Sequence, residues 1–330
     1  MRAAYFASVF VVALGCSATN ATSTFGGGDG TASTSGGAGG ELIGTGAGGA
    51  GGEGGGLPTG GGGGGPMKDC SVAAELIYVL SDKNELYSFA PLEKVFTKIG
   101  KLGCKTSMSP NSMAIDRNAT AWVNYVDNDP LNGDIGGTLF KVSTEDASCE
   151  PSKIFLGPGW YRIGMGFSLD AVGLKTESLF VAGTGDPIGG TSLGLGRIDM
   201  AAQSLTPVGP FTGDLAGKNA ELTGTGDARL FGFFTTSPVN VSEIDKKSGA
   251  ITSQKDLPTV EVPTAWAFSF WGGDFYLYTA PDTLSNPGRT SNVTRYRPSD
   301  GSVDTAFMTN VGFRIVGAGV STCAPLAPPK

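Results

Sequence analysis

The sequence contains no histidine. Without histidine, neither a Ser–His or Cys–His nucleophile system nor an imidazole metal ligand can be built. Basic residues number 23 against 30 acidic ones, and no basic stripe is present, which argues against nucleic-acid binding and against adsorption to an anionic membrane surface. Glycine motifs such as Gly164-Met165-Gly166 lack the strand–turn–helix context of a nucleotide fingerprint, so no cofactor is expected.

Long hydrophobic runs are also scarce. Residues 3–14 form one apolar stretch, which is too short to span a membrane and has the length of a signal peptide. It ends in Ala13-Leu14-Gly15-Cys16, which resembles the bacterial lipobox, with Ala13 where leucine is usual. We therefore expect residues 1–15 to be a signal peptide and Cys16 to be the lipidated residue that anchors an exported protein to the cell envelope. Ser17 in place of aspartate favours the outer membrane; the alternative is an ordinary signal peptide cleaved nearby.

Of the 54 glycines, 23 lie in residues 17–66, where they make up nearly half of the segment. Such a segment has little apolar surface to bury and cannot offset its own ordering entropy. Residues 16–66 are therefore predicted to be a flexible tether with a span of roughly 35–45 Å. Residues 67–330 have ordinary globular composition and are predicted to form one domain.

Beyond the tether, short segments with alternating apolar positions recur at intervals of about 45–55 residues, which is typical of a repeat architecture. These segments are 86–89, 139–142, 196–199, 242–245 and 294–297. More uniformly apolar segments precede them, at 76–80, 121–123, 178–182, 229–233 and 275–278. Further segments follow them, at 95–99, 152–156, 204–208, 250–253 and 303–308. Small-residue strands lead four of the units, at 112–115, 164–167, 222–225 and 266–269.

The first unit lacks a leading strand, and residues 315–320 provide one at the other end of the chain. Joining the two ends removes the open sheet edges that an unclosed array would expose. The sequence therefore predicts an all-β fold, a five-bladed β-propeller closed by a C-terminal strand.

Four cysteines remain when Cys16 is set aside, an even number that suits an oxidising compartment. Their spacing alone permits three pairings. In a closed propeller, Cys70 and Cys323 flank the closing strand, while Cys104 and Cys149 lie in neighbouring blades. We predict these two disulfides, each stabilising the fold by about 3–5 kcal/mol.

Several motifs resemble those of uncharacterised exported β-propeller lipoproteins of the myxobacterial type. They are Asn111-Ser112-Met113-Ala114-Ile115-Asp116-Arg117, Glu221-Leu222-Thr223-Gly224-Thr225-Gly226, Trp271-Gly272-Gly273-Asp274-Phe275-Tyr276 and Gly317-Ala318-Gly319-Val320-Ser321-Thr322-Cys323. The resemblance covers about residues 70–326. It implies a cell-envelope location and brings no activity with it.

In three of the predicted blades, the connection between the second and the third strand is long. These connections are 126–137, 183–194 and 280–292. Long loops in compact blades are often functional, although they can also be decoration. The first contains Asp127, Asp129 and Asp134, whose carboxylates are weak candidates for calcium ligands. Their spacing fits a solvated turn better, and no metal is expected.

Two kinds of site could occupy this face of the propeller. Glycoside hydrolysis needs two carboxyl groups about 5–10 Å apart. The candidate acids are Asp116, Asp170, Asp227 and Glu221. We expect Glu221, just before its inner strand, on the opposite face from the other three, which leaves it the best single candidate acid.

The other kind is a binding site at the entrance to the axis. Its candidate residues are Tyr161, Arg162, Glu221, Trp266 and Arg314. Trp160, Trp266 and Trp271 could stack on sugars, or could pack between blades. We favour a recognition module for a glycan, an envelope component or a protein; a propeller glycosidase and a purely structural envelope protein are the alternatives.

Overall fold

The computed structural model describes residues 70–129, 131–185, 190–280 and 290–329. They form an all-β fold of five four-stranded antiparallel sheets, the predicted five-bladed propeller. Signal peptide, Cys16 and tether lie outside the described residues. In the part described, helix is limited to two short 3-10 turns, Val72–Glu75 and Gly213–Leu215.

Each blade consists of strands that are consecutive in the chain, apart from the closing strand of blade one. Blade one contains β1 (Ile77–Ser81), β2 (Glu85–Ala90), β3 (Val95–Lys101) and β20 (Ile315–Val320); blade two contains β4 (Ser109–Ile115), β5 (Thr120–Asp129), β6 (Gly133–Ser143) and β7 (Cys149–Pro151). Blade three contains β8 (Ile163–Leu169), β9 (Glu177–Gly183), β10 (Gly194–Asp199) and β11 (Ser204–Gly209). Blade four contains β12 (Ala220–Gly224), β13 (Leu230–Phe234), β14 (Val239–Ile244) and β15 (Ile251–Leu257); blade five contains β16 (Ala265–Trp271), β17 (Asp274–Ala280), β18 (Asn292–Arg297) and β19 (Ser302–Met308).

The closing strand completes the ring as predicted. β20 pairs with β1 and is the innermost strand of blade one. The other inner strands are β4, β8, β12 and β16, and each inner strand contacts the next around the axis. All five run in the same direction, so their first residues share one face of the propeller, which we call the entrance face. Their last residues share the opposite, closing face.

The inner strands approach so closely that side chains would not fit at some positions. A Cβ atom added at Gly164 would lie 2.0 Å from the carbonyl oxygen of Ala220 in the next blade. One added at Gly224 would lie 2.0 Å from the carbonyl oxygen of Phe167. Glycine at these positions allows the backbones of a narrow ring to meet.

The hydrophobic core is divided among the five junctions between blades, with one cluster of buried side chains at each. At the junction of blades one and five, Phe89 packs edge-on against Tyr276 and Tyr278. No blade has a core of its own, which explains why the ring has to close to be stable.

Both predicted disulfides are present, Cys70–Cys323 and Cys104–Cys149. The first joins the segment before β1 to the segment after β20 and so links the two ends of the ring. The second joins the chain leaving blade one to the outer strand of blade two.

Two details of the predicted strands were wrong. The outer strand of blade two is Cys149–Pro151 rather than 152–156, because Ile154 and Leu156 turn inward into the cluster between blades two and three. The predicted loop 126–137 is largely a ribbon, since β5 continues to Asp129 and β6 begins at Gly133.

Candidate functional site at the axis

A cavity of about 190 Å³ opens where the axis meets the entrance face. Four of the five predicted binding residues line it: Arg162, Glu221, Trp266 and Arg314. Tyr161 does not. It packs against the cluster between blades two and three, and its carbonyl oxygen accepts a 3.0 Å hydrogen bond from Asn124.

Glu221 lies within β12 rather than before it, and it is buried. Ser112 donates a 2.8 Å hydrogen bond to its Oε2. Burial raises the pKa of Glu221 well above its usual range, although hydrogen bonds from Ser112 and from the Met165 backbone act in the opposite direction. Burial therefore favours the neutral form of the carboxyl, which has one O–H donor.

Arg162, which also lines the cavity, is held by two blade-two residues. Its Nε and Nη2 donate to the two carboxylate oxygens of Asp134 at 2.7 and 2.8 Å, and its Nη1 donates to Asn111 Oδ1 at 2.6 Å. Burial acts to raise the pKa of Asp134, but hydrogen bonds from Arg162 and Asn128 outweigh it, and the pKa is lowered. The guanidinium is therefore held in one orientation.

A buried amide supports this arrangement from behind. Asn124 is fully buried, and its Oδ1 accepts a 3.0 Å hydrogen bond from Asn111. Asn111 also donates to the carbonyl oxygen of Ile163 at 3.0 Å. Neither Asn111 nor Ser112 was predicted to be a site residue, although both stand in the segment 111–117 quoted above.

Trp266 carries a buried polar atom with no partner. Its indole Nε1 is shielded from solvent and makes no hydrogen bond with any described residue. Leaving a buried donor unsatisfied costs about 1–3 kcal/mol. Trp266 also lines the cavity, and a ligand oxygen that reached the indole N–H would satisfy it.

The other tryptophans named above are structural. Trp160 is buried between blades two and three. Trp271 is buried between blades one and five, and its Nε1 donates to the carbonyl oxygen of Glu75 at 2.8 Å. Neither contributes to the cavity.

The three aspartates that were weak candidates for calcium ligands make different contacts. Asp129 Oδ1 accepts backbone N–H groups of Leu131 and Asn132 at 2.8 Å, which is turn chemistry. Asp134 is paired with Arg162, and Asp127 lies in β5. The described residues contain no group of three or more acidic or cysteine side chains that could hold a metal ion.

The carboxyls of Asp116, Asp170 and Asp227 follow the inner strands β4, β8 and β12, on the closing face, as expected. Asp116 Oδ1 accepts the backbone N–H groups of Asn118 and Thr120 at 2.9 Å. Asp227 accepts a hydrogen bond from Thr225, and Asp170 accepts one from Ser178 in β9. Glu221 is separated from all three carboxylates by the length of an inner strand.

Thr322 occupies the closing-face end of the axis. Its hydroxyl donates to Glu177 Oε2 at 2.7 Å and accepts from Arg117 Nη1 at 3.1 Å. Its carbonyl oxygen lies against Gly226, within 2.6 Å of the position of an added Cβ. These contacts reach blades two, three and four from the C-terminal segment. The C-terminal segment therefore contacts three blades at this end of the axis, whereas the cavity lies at the entrance face.

Comparison with protein-family models and with curated proteins found no match for the chain. Solved structures do match, among them a protein provisionally described as a gluconolactonase. That match has 13% sequence identity, covers 62% of this chain and 70% of the other, and has a TM-score of 0.39. A similarity at this level indicates neither substrate nor mechanism.

No helix within the described ranges is long and apolar enough to cross a membrane.

Proposed function

We propose that the chain is an exported lipoprotein of the cell envelope whose propeller is a recognition module, with a glycan bound in the axial cavity. The observation that carries the binding role is the unpartnered indole N–H of Trp266 in that cavity. Glu221 and Arg162 line the same cavity and are held by hydrogen bonds with Ser112 and Asp134, so three polar side chains share one small lining.

The indole and guanidinium groups in the lining are donors, which favours a ligand rich in acceptor oxygens. Sugars have such oxygens at every ring position, and an indole ring adds a surface on which a sugar face can pack. The cavity is smaller than the 300 Å³ or so at which sites for drug-sized ligands begin. We therefore propose that it receives one sugar unit of a longer glycan.

A hydrolase is less well supported. Among the described residues, Glu221 provides the one carboxyl in the lining of the cavity. The nearby carboxylate of Asp134 accepts two hydrogen bonds from Arg162. The second carboxyl that a glycosidase needs is therefore not present among the described lining residues.

Binding is tested by a glycan array probed with the purified full chain, in wild-type form and as Trp266→Phe. Phenylalanine keeps an aromatic face but removes the N–H, so we expect at least a tenfold loss of affinity for the glycan that wild type binds. Tyr161→Phe is the matched control, because it removes a polar atom from a residue next to the cavity but outside its lining. Equal losses in the two variants would overturn the assignment of the site.

Anchoring rests on the sequence before the tether. We expect a bacterial host expressing the full chain to incorporate a labelled fatty acid into it and to place it in the membrane fraction. Cys16→Ser should abolish both the label and the membrane association. A wild-type protein released without label would contradict the lipoprotein proposal and would leave the glycan proposal standing.

A further inference from the structure

A second and larger cavity, of about 480 Å³, lies on the entrance face of blade four. Its walls are the chain leading into β12, residues 214–219, and the β13–β14 connection, residues 235–238. Side chains of Gln254 and Asp256 in β15 complete the lining. We call it the blade-four cavity. It shares no lining residue with the axial cavity.

Asn219, which lines the blade-four cavity, carries an unsatisfied polar atom. Its Oδ1 is buried and accepts no hydrogen bond from any described residue. Within the described part of the chain, two buried side-chain polar atoms lack a partner, and the other is Trp266 Nε1 in the axial cavity. Buried polar groups in native proteins normally have partners. Both exceptions therefore belong to residues that line cavities.

Asp256 is held in place by buried polar side chains of the same blade. Asn240 is fully buried, and its Nδ2 donates to Asp256 Oδ1 at 2.6 Å. The hydroxyl of Ser242, also buried, donates to Asn240 Oδ1 in turn. Gln254 Nε2 donates to the same Oδ1 at 3.4 Å. Both hydrogen bonds that Asp256 accepts thus fall on Oδ1, which orients the carboxylate from within the blade.

The lining indicates the chemistry of the ligand. An amide and a carboxylate are both satisfied by hydroxyl groups, which donate and accept. The exposed charges at the rim have both signs, Lys218 against Asp214 and Asp256, so neither a strongly cationic nor a strongly anionic ligand is selected. The volume lies in the range of small-molecule sites.

We infer that the blade-four cavity is a second ligand site, which binds a neutral polyhydroxylated molecule of the size of a mono- or disaccharide through Asn219 and Asp256. This inference does not depend on the axial site, because the two cavities have separate linings. With this second site, the entrance face has two binding positions, which suits a protein that binds a long glycan.

The test is saturation-transfer difference NMR on the purified full chain with neutral sugars: glucose, galactose, mannose, N-acetylglucosamine, maltose and cellobiose. We expect at least one of them to bind. Asn219→Ala and Asp256→Asn should each weaken that binding at least tenfold, and Gln254→Ala, at an exposed position that does not endanger folding, should weaken it less. Lys255→Ala is the matched control, because the side chain between Gln254 and Asp256 points to the other face of β15.

Trp266→Phe separates the two sites. It should leave binding at the blade-four cavity unchanged, whether or not the axial site proves to bind a glycan. Binding that is lost in Trp266→Phe but kept in Asn219→Ala and Asp256→Asn would overturn this inference in favour of the axial cavity. It would equally be overturned if none of the six sugars bound, or if calcium alone bound and Asp256→Asn abolished that binding.

Discussion

The hydroxyl of Ser112 in β4 donates a 2.8 Å hydrogen bond to the carboxyl of Glu221 in β12, joining two blades that are not neighbours in the ring. Blade three lies between them in sequence. With five blades, the inner strands are near enough for one side chain to reach across the axis. The same contact orients Glu221 in the lining of the axial cavity, so one residue pair both links two blades and holds a side chain of the site.

Glu221→Gln should keep the fold and raise its stability at neutral pH. Glutamine has the same shape, and its side-chain oxygen still accepts the hydrogen bond of Ser112. Unlike a carboxyl, the amide does not ionise, so no charge has to be buried. Because burial raises the pKa of Glu221 well above that of the unfolded chain, the wild-type fold loses stability as pH rises above the unfolded value. We expect the variant to be more stable at pH 7 by on the order of 1–3 kcal/mol.

The advantage of Glu221→Gln should vanish near pH 4, where the carboxyl is protonated in both the folded and the unfolded chain. Denaturant unfolding at the two pH values measures the difference directly. Glu150→Gln, which changes an exposed carboxyl of β7, should show no such pH dependence. A glutamine variant less stable than wild type at pH 7 would mean that Glu221 is charged in the fold.

Glu177 on the closing face should also make the stability of the fold depend on pH, over a defined pH range. Burial raises its pKa to about 7, and the charge of Asp116 acts in the same direction. The stability that its neutral form provides is therefore lost progressively between about pH 4.5 and 7, by up to about 3 kcal/mol. Over this pH range, the Tm should fall less steeply with rising pH for Glu177→Gln than for wild type. Parallel pH profiles would show that Glu177 titrates normally.

The ion pair beneath the axial cavity can be measured with a double-mutant cycle. Arg162→Ala leaves the mostly buried carboxylate of Asp134 without its main partner. We expect a loss of about 2 kcal/mol, below the value for a fully buried pair because 35% of the Arg162 side chain is exposed. Asp134→Ala should cost less stability in the Arg162→Ala background than in wild type. The difference gives a coupling energy of at least about 1 kcal/mol. Strictly additive losses in urea unfolding would mean that the pair is not coupled.

The two disulfides should differ in their contributions. Cys70 and Cys323 are separated by 253 residues, and Cys104 and Cys149 by 45. Since loop-closure entropy grows with loop length, replacing the first pair by alanine should cost about 5 kcal/mol and replacing the second about 4 kcal/mol. Calorimetry of the two double variants checks the order. The reverse order would show that the C-terminal segment holds the ring closed without its disulfide.

The architecture followed from the sequence because each of its signals is local or repeated. Period-two alternation of apolar residues indicated the strands, and its fivefold recurrence indicated the blades. The first unit lacked a leading strand, and residues 315–320 provided it. The disulfides then followed from the ring closure. The outer strand of blade two was misplaced because Ile154 and Leu156 alternate like strand residues, whereas their burial comes from the cluster between blades two and three.

The site was predictable only in part. Glu221, Arg162 and Arg314 were expected at the entrance because they flank inner strands, but the partners that orient them come from distant positions in the chain. Ser112 and Glu221 are 109 residues apart, and no spacing rule connects them. The blade-four cavity carried no sequence signal, because Asn219 and Asp256 look like ordinary surface residues until the blade brings them together.

Thermal unfolding of the full chain, with and without saturating glycans of the cell envelope, tests the recognition proposal most directly. A ligand at one hundred times its Kd adds about 2.7 kcal/mol and raises Tm by roughly 2–4 °C in a domain of this size. We predict such a shift with one class of glycan, and its loss in Trp266→Phe. An unchanged Tm with every glycan tested would contradict glycan recognition and would leave a protein partner or a structural role for the propeller.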